Sequence, residues 1–106
     1  MRDNALSPEL QQGHRDIEEI VRSELRKQGI EMTFPRWWSD NPITRWDIEV
    51  ITVDGLTQYQ KFSSKQLTGF QTDNRLKIQV YSKVAGLVGK FMKLARAEIS
   101  TKSEDL

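Results

Sequence analysis

The sequence predicts a single α+β domain, in which two helices flank a mostly antiparallel sheet in the order α-β-β-β-(short helical turn)-β-α. Three observations support this class. An early stretch has the hydrophobic period of a helix, middle segments alternate apolar and polar residues like half-buried strands, and a second helical stretch closes the chain. The 106 residues are enough for one domain. Residues 1–6 and 100–106 are expected to be loose tails.

The first helix is predicted to begin at Ser7-Pro8, because serine caps helix N-termini and proline suits the first helical position. Gly13 is expected either to interrupt this helix or to mark a second start near His14. The apolar residues that follow recur on one helical face, and Gly29 ends the helix as a left-handed cap. The narrow apolar face predicts packing against the sheet.

The stretch of residues 34–46 holds all three tryptophans and is predicted to form the first corner of the sheet, around a polar turn. A first strand leads into it from residues 30–34, and Pro35 places that strand at an edge or in a bulge. Adjacent strand residues point to opposite faces, so one of Trp37 and Trp38 is expected in the core and the other outward. Trp46 is expected in the core.

Turn signals define the next elements. Asp54-Gly55 is the strongest hairpin signal of the chain and joins the second strand to a polar third strand. Ser63 and its neighbour are predicted to cap a short helical turn that Gly69 ends. This turn connects the hairpin to the last part of the chain.

The end of the chain has two interpretations. Apolar and polar residues alternate over residues 76–81, which predicts a fourth strand followed by a helix capped by Ser82. The competing interpretation is a single helix that begins early, at Asn74, because the apolar pattern also continues with helical spacing.

The composition excludes several kinds of site. The chain has no cysteine, so disulfides, zinc thiolate sites and thiol nucleophiles are excluded. His14 is the only histidine, and we expect it to be solvated near a helix start. The sequence therefore lacks the second histidine or the cysteine that a catalytic triad or a histidine metal cluster would need. We expect no catalytic residue, metal or cofactor. With no apolar membrane span and no signal core, we expect a soluble cytoplasmic protein without a membrane partner.

The net charge of +1 is unevenly distributed along the chain. Residues 61–96 carry eight Lys/Arg and one Asp, whereas residues 1–60 carry seven Lys/Arg and eleven Asp/Glu. A basic segment of this kind suits the phosphates of nucleic acid. The alternative interpretation is that the acidic and basic halves pair with each other.

The candidate binding residues form two groups, and they predict a small non-catalytic binding module. The first group comes from the corner: Arg36, Trp37, Trp38 and Arg45. The second lines the polar side of the last helix: Lys83, Lys90, Lys93 and Arg96. Cations beside an outward tryptophan favour nucleic acid as the ligand. The alternative is a protein-binding adaptor or inhibitor that uses the tryptophan corner, including a homodimer.

Two known folds share parts of the predicted element order. The order is similar to that of the PD-(D/E)xK nuclease core, which gives a second alternative: Asp47 and Glu49 would hold Mg²⁺ beside Lys61. Tyr59 departs from that motif, which has an acid or glutamine there, and the carboxylates are otherwise solvated outer-face residues. The α-β-β-β-α outline is also similar to double-stranded RNA-binding domains, although residues 63–81 have no place in that fold.

Overall fold

The computed structural model describes the backbone of residues 7–104 and the side chains of residues 7–97. Within this range the chain forms three helices and three strands: α1 (Pro8–Lys27), β1 (Arg36–Trp38), β2 (Arg45–Ile51), β3 (Thr57–Ser63), α2 (Ser64–Gly69) and α3 (Asn74–Glu104). The strands form one antiparallel sheet in the order β1-β2-β3. The predicted α+β class is confirmed.

The first helix has the predicted ends. The Ser7 side chain accepts a hydrogen bond from the Leu10 N–H at 3.2 Å, and Pro8 occupies the first helical position. Gly29 follows the helix with φ 76°, the left-handed conformation that glycine adopts without steric strain. These three features fix the length of α1 and direct the chain back toward the sheet.

The predicted interruption at Gly13 is wrong, because α1 runs through this residue. The glycine is required for a different reason. A β-carbon at position 13 would collide with the backbone carbonyl oxygen of Leu67 in α2. The missing side chain therefore lets the backbones of α1 and α2 approach closely, and this long-range contact outweighs the low helix propensity of glycine.

The first strand begins later than predicted, at Arg36. Before it, Met32 forms one isolated bridge with Thr52, and Pro35 separates this bridge from β1. Met32 and Trp37 both pack against the core, so the alternation of side chains breaks once between them. Pro35 has no N–H to donate to a continuous ladder, which explains why the break falls there.

The central strand sorts the sheet into two faces. Trp46, Ile48 and Val50 of β2 are buried, whereas the residues that alternate with them are exposed or half-buried. We call the buried side the inner face and the opposite side the outer face. By register, the outer face carries these residues: Arg36, Trp38, Arg45, Asp47, Glu49, Ile51, Thr57, Tyr59, Lys61 and Ser63.

All three helices contribute to the core on the inner face. Its fully buried side chains come from α1, the sheet and α3, together with Phe70 after α2: Ile17, Val21, Leu25, Ile48, Val50, Phe62, Phe70, Val80, Val84, Leu87 and Phe91. α3 runs along β3, where Gln60 Nε2 donates to the carbonyl oxygen of Lys83 at 3.3 Å. No described helix packs over the outer face, whose cations and aromatic rings remain exposed.

The predicted fourth strand is wrong, because residues 76–81 form the first turns of α3, and the helix begins at Asn74. The Asp73 carboxylate accepts hydrogen bonds from two backbone N–H groups of the first turn, at 2.9 and 3.2 Å. Ile78 is 70% exposed while Val80 is fully buried, as expected for a helix rather than a strand. The competing interpretation of this segment is therefore confirmed.

The remaining predictions concern the short helix and the chain ends. α2 begins with a capping box formed by Ser63 and Gln66, which confirms the predicted capped turn. The tail predicted from residue 100 is helical as far as Glu104, and residues 1–6 and 105–106 lie outside the described range. Among the described residues, no helix combines the length and apolar character needed to cross a membrane.

Candidate binding surface on the outer face

Two aromatic side chains from the outer strands of the sheet meet above the central strand. The ring centroids of Trp38 on β1 and Tyr59 on β3 lie 5.9 Å apart, with an interplanar angle of 76°. β2 separates the two strands, so both rings lean inward over its outer-face side chains. Trp38 remains 40% exposed and Tyr59 50% exposed. The outer face therefore presents a continuous aromatic surface.

Glu49 on the central strand holds Tyr59, one of the two aromatic residues, through a hydrogen bond. The Tyr59 hydroxyl donates a hydrogen bond to Glu49 Oε2 at 3.1 Å, and Arg36 Nε lies 3.6 Å from Glu49 Oε1. The hydrogen bond to Glu49, together with its negative charge, raises the pKa of the Tyr59 hydroxyl. Only 17% of the Glu49 side chain is exposed, against 77% for Arg36. The carboxylate orients Tyr59 while the guanidinium stays accessible.

Three exposed cations surround the aromatic pair, one from each strand: Arg36, Arg45 and Lys61. The register places Lys61 directly opposite Asp47 on β2. Among the described side chains, Asp47 forms no hydrogen bond or ion pair, so Lys61 does not neutralise it by direct contact. The surface thus combines aromatic faces, cations and one free carboxylate.

Trp37 belongs to the core rather than to this surface. The His14 ring stacks on it with centroids 4.1 Å apart and planes 11° apart, and meets Trp46 edge-on at 4.6 Å. Trp37 Nε1 donates a hydrogen bond to Glu18 Oε2 at 2.6 Å. Of the two adjacent tryptophans, Trp38 is therefore the outward one, and Trp46 is buried as expected.

The expectation that His14 is solvated is wrong. The residue is buried between the two tryptophans, and its Nε2 atom has no hydrogen-bond partner among the described groups. Burial lowers the pKa of the imidazole to about 4, because a charged ring there would lose its hydration. His14 is a neutral packing residue at neutral pH.

The four α3 cations that the sequence singled out as binding residues do not act as one group. Lys83 is half-buried, and its Nζ donates to the Lys61 carbonyl oxygen at 2.7 Å and to Gln66 Oε1 at 3.0 Å. Its Nζ also lies 5.4 Å from the centre of the Phe62 ring, and burial lowers the pKa of this amine. The other three of these candidates are exposed: Lys90, Lys93 and Arg96.

These α3 cations lie in the helical layer, across the sheet from the outer face. The structure brings together Arg36, Trp38 and Arg45 from the predicted groups and adds two residues from β3, Tyr59 and Lys61. The Asp54-Gly55 signal predicts the hairpin but not its register, because a two-residue turn would pair Val53 with Leu56. The hairpin instead has a three-residue loop, residues 53–55, in which the Thr52 N–H donates to the Leu56 carbonyl oxygen. This shift of one residue sets Tyr59 beside Glu49 and Lys61 beside Asp47, on the outer face.

The nuclease hypothesis gains no support from the described residues. The strand on which its similarity of element order depended is the start of α3. The described residues contain no group of three or more His, Asp or Glu side chains able to hold a metal ion. Glu49 is already engaged by Tyr59 and Arg36.

A separate open pocket of about 550 Å³ lies at the far end of the hairpin, between the end of α1 and α3. Its apolar lining comes from Ile30, Val53, Leu56, Met92 and Ala95. Its polar lining comes from Gln28, Glu31, Asp54 and Arg96.

Comparison of the chain with protein-family models, curated proteins and solved structures finds no match.

Proposed function

We propose that the protein is a non-catalytic module that binds single-stranded nucleic acid on the outer face of its sheet. The observation that carries the proposal is the exposed pair of Trp38 and Tyr59, which spans the central strand. Exposed aromatic rings on an open antiparallel sheet suit the stacking of unpaired bases. In a duplex the bases are already stacked on one another, so a single strand fits this surface better.

The charges around the rings support the same ligand. Arg36, Arg45 and Lys61 are exposed on three different strands, so a backbone that crosses the sheet meets a cation on each strand. Phosphate contacts of this kind provide affinity without sequence specificity, and the affinity falls as salt rises. The exposed cations of α3 add to the long-range attraction of a polyanion.

Protein docking is the second candidate, because two apolar side chains near the β1–β2 corner are largely exposed. Phe34 precedes β1, and Ile43 lies in the turn between β1 and β2. An apolar partner would cover these side chains and Trp38, with binding that depends weakly on salt. A steep salt dependence would favour nucleic acid over this alternative.

The test is a binding titration with single-stranded DNA and RNA oligonucleotides of about 15 nucleotides, at about 50 mM and 200 mM salt. We expect binding that weakens at the higher salt. Tyr59→Ala should reduce the affinity by about 1–3 kcal/mol, because one stacking contact is lost. Tyr81→Ala is the matched control, since Tyr81 is exposed to a similar extent, 45% against 50%, but lies on α3.

Two results would reject the proposal. One is the absence of binding to both kinds of oligonucleotide at the lower salt. The other is an equal loss of affinity in Tyr59→Ala and in Tyr81→Ala, which would exclude the outer face as the site.

A further inference from the structure

We infer that the outer face prefers cytosine and adenine to uracil and thymine, and that Asp47 makes this distinction. Cytosine and adenine carry an exocyclic amino group beside a ring-nitrogen acceptor, whereas uracil and thymine carry a carbonyl oxygen in the place of that amino group. The inference rests on the proposed binding of single-stranded nucleic acid. It concerns Asp47, the outer-face carboxylate with which no other described side chain forms a hydrogen bond or ion pair.

The register puts Asp47 in the middle of the proposed site. Asp47 lies directly opposite Trp38 on β1 and directly opposite Lys61 on β3. Directly opposed side chains begin about 5 Å apart at their β-carbons. Because Trp38 and Asp47 are directly opposed in the register, a base stacked on the Trp38 ring would have the Asp47 carboxylate within reach of its edge.

The two outer-face carboxylates of β2 differ in their availability. Glu49 accepts the hydrogen bond of Tyr59 and pairs with Arg36. Asp47 has neither kind of partner among the described residues, although it is half-buried. A half-buried carboxylate gains more from a new donor than a fully solvated one does, because its hydration is already incomplete. Asp47 is therefore the group on this face that is free to read a base.

The hydrogen-bonding groups of Asp47 and of Lys61, which is directly opposite on β3, determine which bases are preferred. An ionised carboxylate only accepts hydrogen bonds, and a lysine ammonium only donates them. Cytosine N4 and adenine N6 are amino donors, and each stands next to a ring-nitrogen acceptor that suits Lys61. Uracil and thymine present the O4 acceptor in the same place, which would face the negative charge of Asp47.

The test compares two pyrimidine oligomers, one with an amino group and one with a carbonyl oxygen at position 4 of the ring. Binding of oligocytidine and oligouridine is measured at one salt concentration for the unmodified protein, Asp47→Asn and Asp40→Asn. Asp40→Asn is the control, because it removes the same charge from the exposed β1–β2 turn, outside the register of the sheet.

We expect the unmodified protein and Asp40→Asn to bind oligocytidine about fivefold more tightly than oligouridine. In Asp47→Asn the ratio should fall toward one, chiefly because oligouridine binds better when an amide donor replaces the carboxylate. A ratio near one in the unmodified protein, or a ratio unchanged in Asp47→Asn, would overturn the inference and leave the proposed function standing. Failure of both oligomers to bind would reject the proposed function and the inference together.

Discussion

The ring of Trp38 on β1 contacts the ring of Tyr59 on β3 above the central strand, with centroids 5.9 Å apart. The contact connects the two edge strands of the sheet without the involvement of any helix. It keeps both rings over β2 and holds them close together before any ligand arrives. An arrangement fixed in advance reduces the entropy lost when a base stacks on it.

The contact predicts an energetic coupling between the two residues. In a double-mutant cycle of Trp38→Ala and Tyr59→Ala, followed by urea unfolding, we expect a coupling energy of about 0.5–1.5 kcal/mol. The cycle of Trp38→Ala with Tyr81→Ala is the control, since no ring contact joins that pair, and it should be additive. Additive behaviour in both cycles would show that the aromatic contact does not form in solution.

Glu49 is predicted to control the ionisation of Tyr59. Glu49→Gln removes the negative charge that raises the pKa of the Tyr59 hydroxyl, so this pKa should move back toward its ordinary value of 10.0. An absorbance titration of tyrosinate in a Tyr81→Phe background isolates Tyr59, because the chain has only two tyrosines. An unchanged titration curve after Glu49→Gln would contradict the hydrogen bond between these residues.

Gly13 is predicted to tolerate no side chain. In most exposed helix positions alanine is more stabilising than glycine by about 1 kcal/mol, but at Gly13 the new β-carbon would collide with the Leu67 carbonyl oxygen. We expect Gly13→Ala to destabilise the protein by about 2 kcal/mol or more, measured by urea unfolding.

The matched control for this substitution is Gly86→Ala in α3, where an added β-carbon meets no atom within 4 Å. It should stabilise the protein by about 0.5–1 kcal/mol. If both alanine variants were more stable than the unmodified protein, the close approach of α1 to α2 would be refuted.

The environment of His14 predicts a loss of stability in mild acid. The pKa is lowered from 6.5 to about 4 in the folded protein, so the unfolded chain takes up a proton first as the pH falls. The contribution of neutral His14 to stability is complete above pH 6.5 and is lost as the pH falls through about 4. Below about pH 4 the loss should reach about 3 kcal/mol.

The substitution His14→Phe separates this effect from the titration of carboxylates. Phenylalanine keeps an aromatic ring between Trp37 and Trp46 but cannot be protonated. Unfolding free energies measured between pH 7 and pH 4 should depend less steeply on pH in the variant. Equal slopes in both proteins would mean that His14 is accessible to protons in the folded state.

Local signals in the sequence are sufficient for both ends of α1 and for the existence of the β2–β3 hairpin. Ser7, Gly29 and Asp54-Gly55 act through contacts within a few residues, so their roles follow from chemistry that the sequence contains. The alternation in β2 likewise predicts its two faces, because burial on one side of a sheet imposes a period of two.

The errors occurred where contacts distant in sequence decide the outcome. Residues 76–81 fit a strand and a helix almost equally well, and burial of Val80 with the following helical residues decided between them. The predictions for Gly13 and His14 are wrong because their partners, Leu67 and the tryptophans, come from other elements. Tyr59 belongs to the candidate surface because of the sheet register, which the sequence alone does not determine.

Quenching of tryptophan fluorescence by a bound oligonucleotide shows whether bases stack on Trp38. Trp37 and Trp46 pack against His14 in the core, so quenching by a single-stranded oligonucleotide should come from Trp38. We predict that Trp38→Phe still binds, as measured by the anisotropy of a labelled oligonucleotide, but no longer shows quenching. Equal quenching in Trp38→Phe and in the unmodified protein would place the ligand away from the outer face and contradict the account.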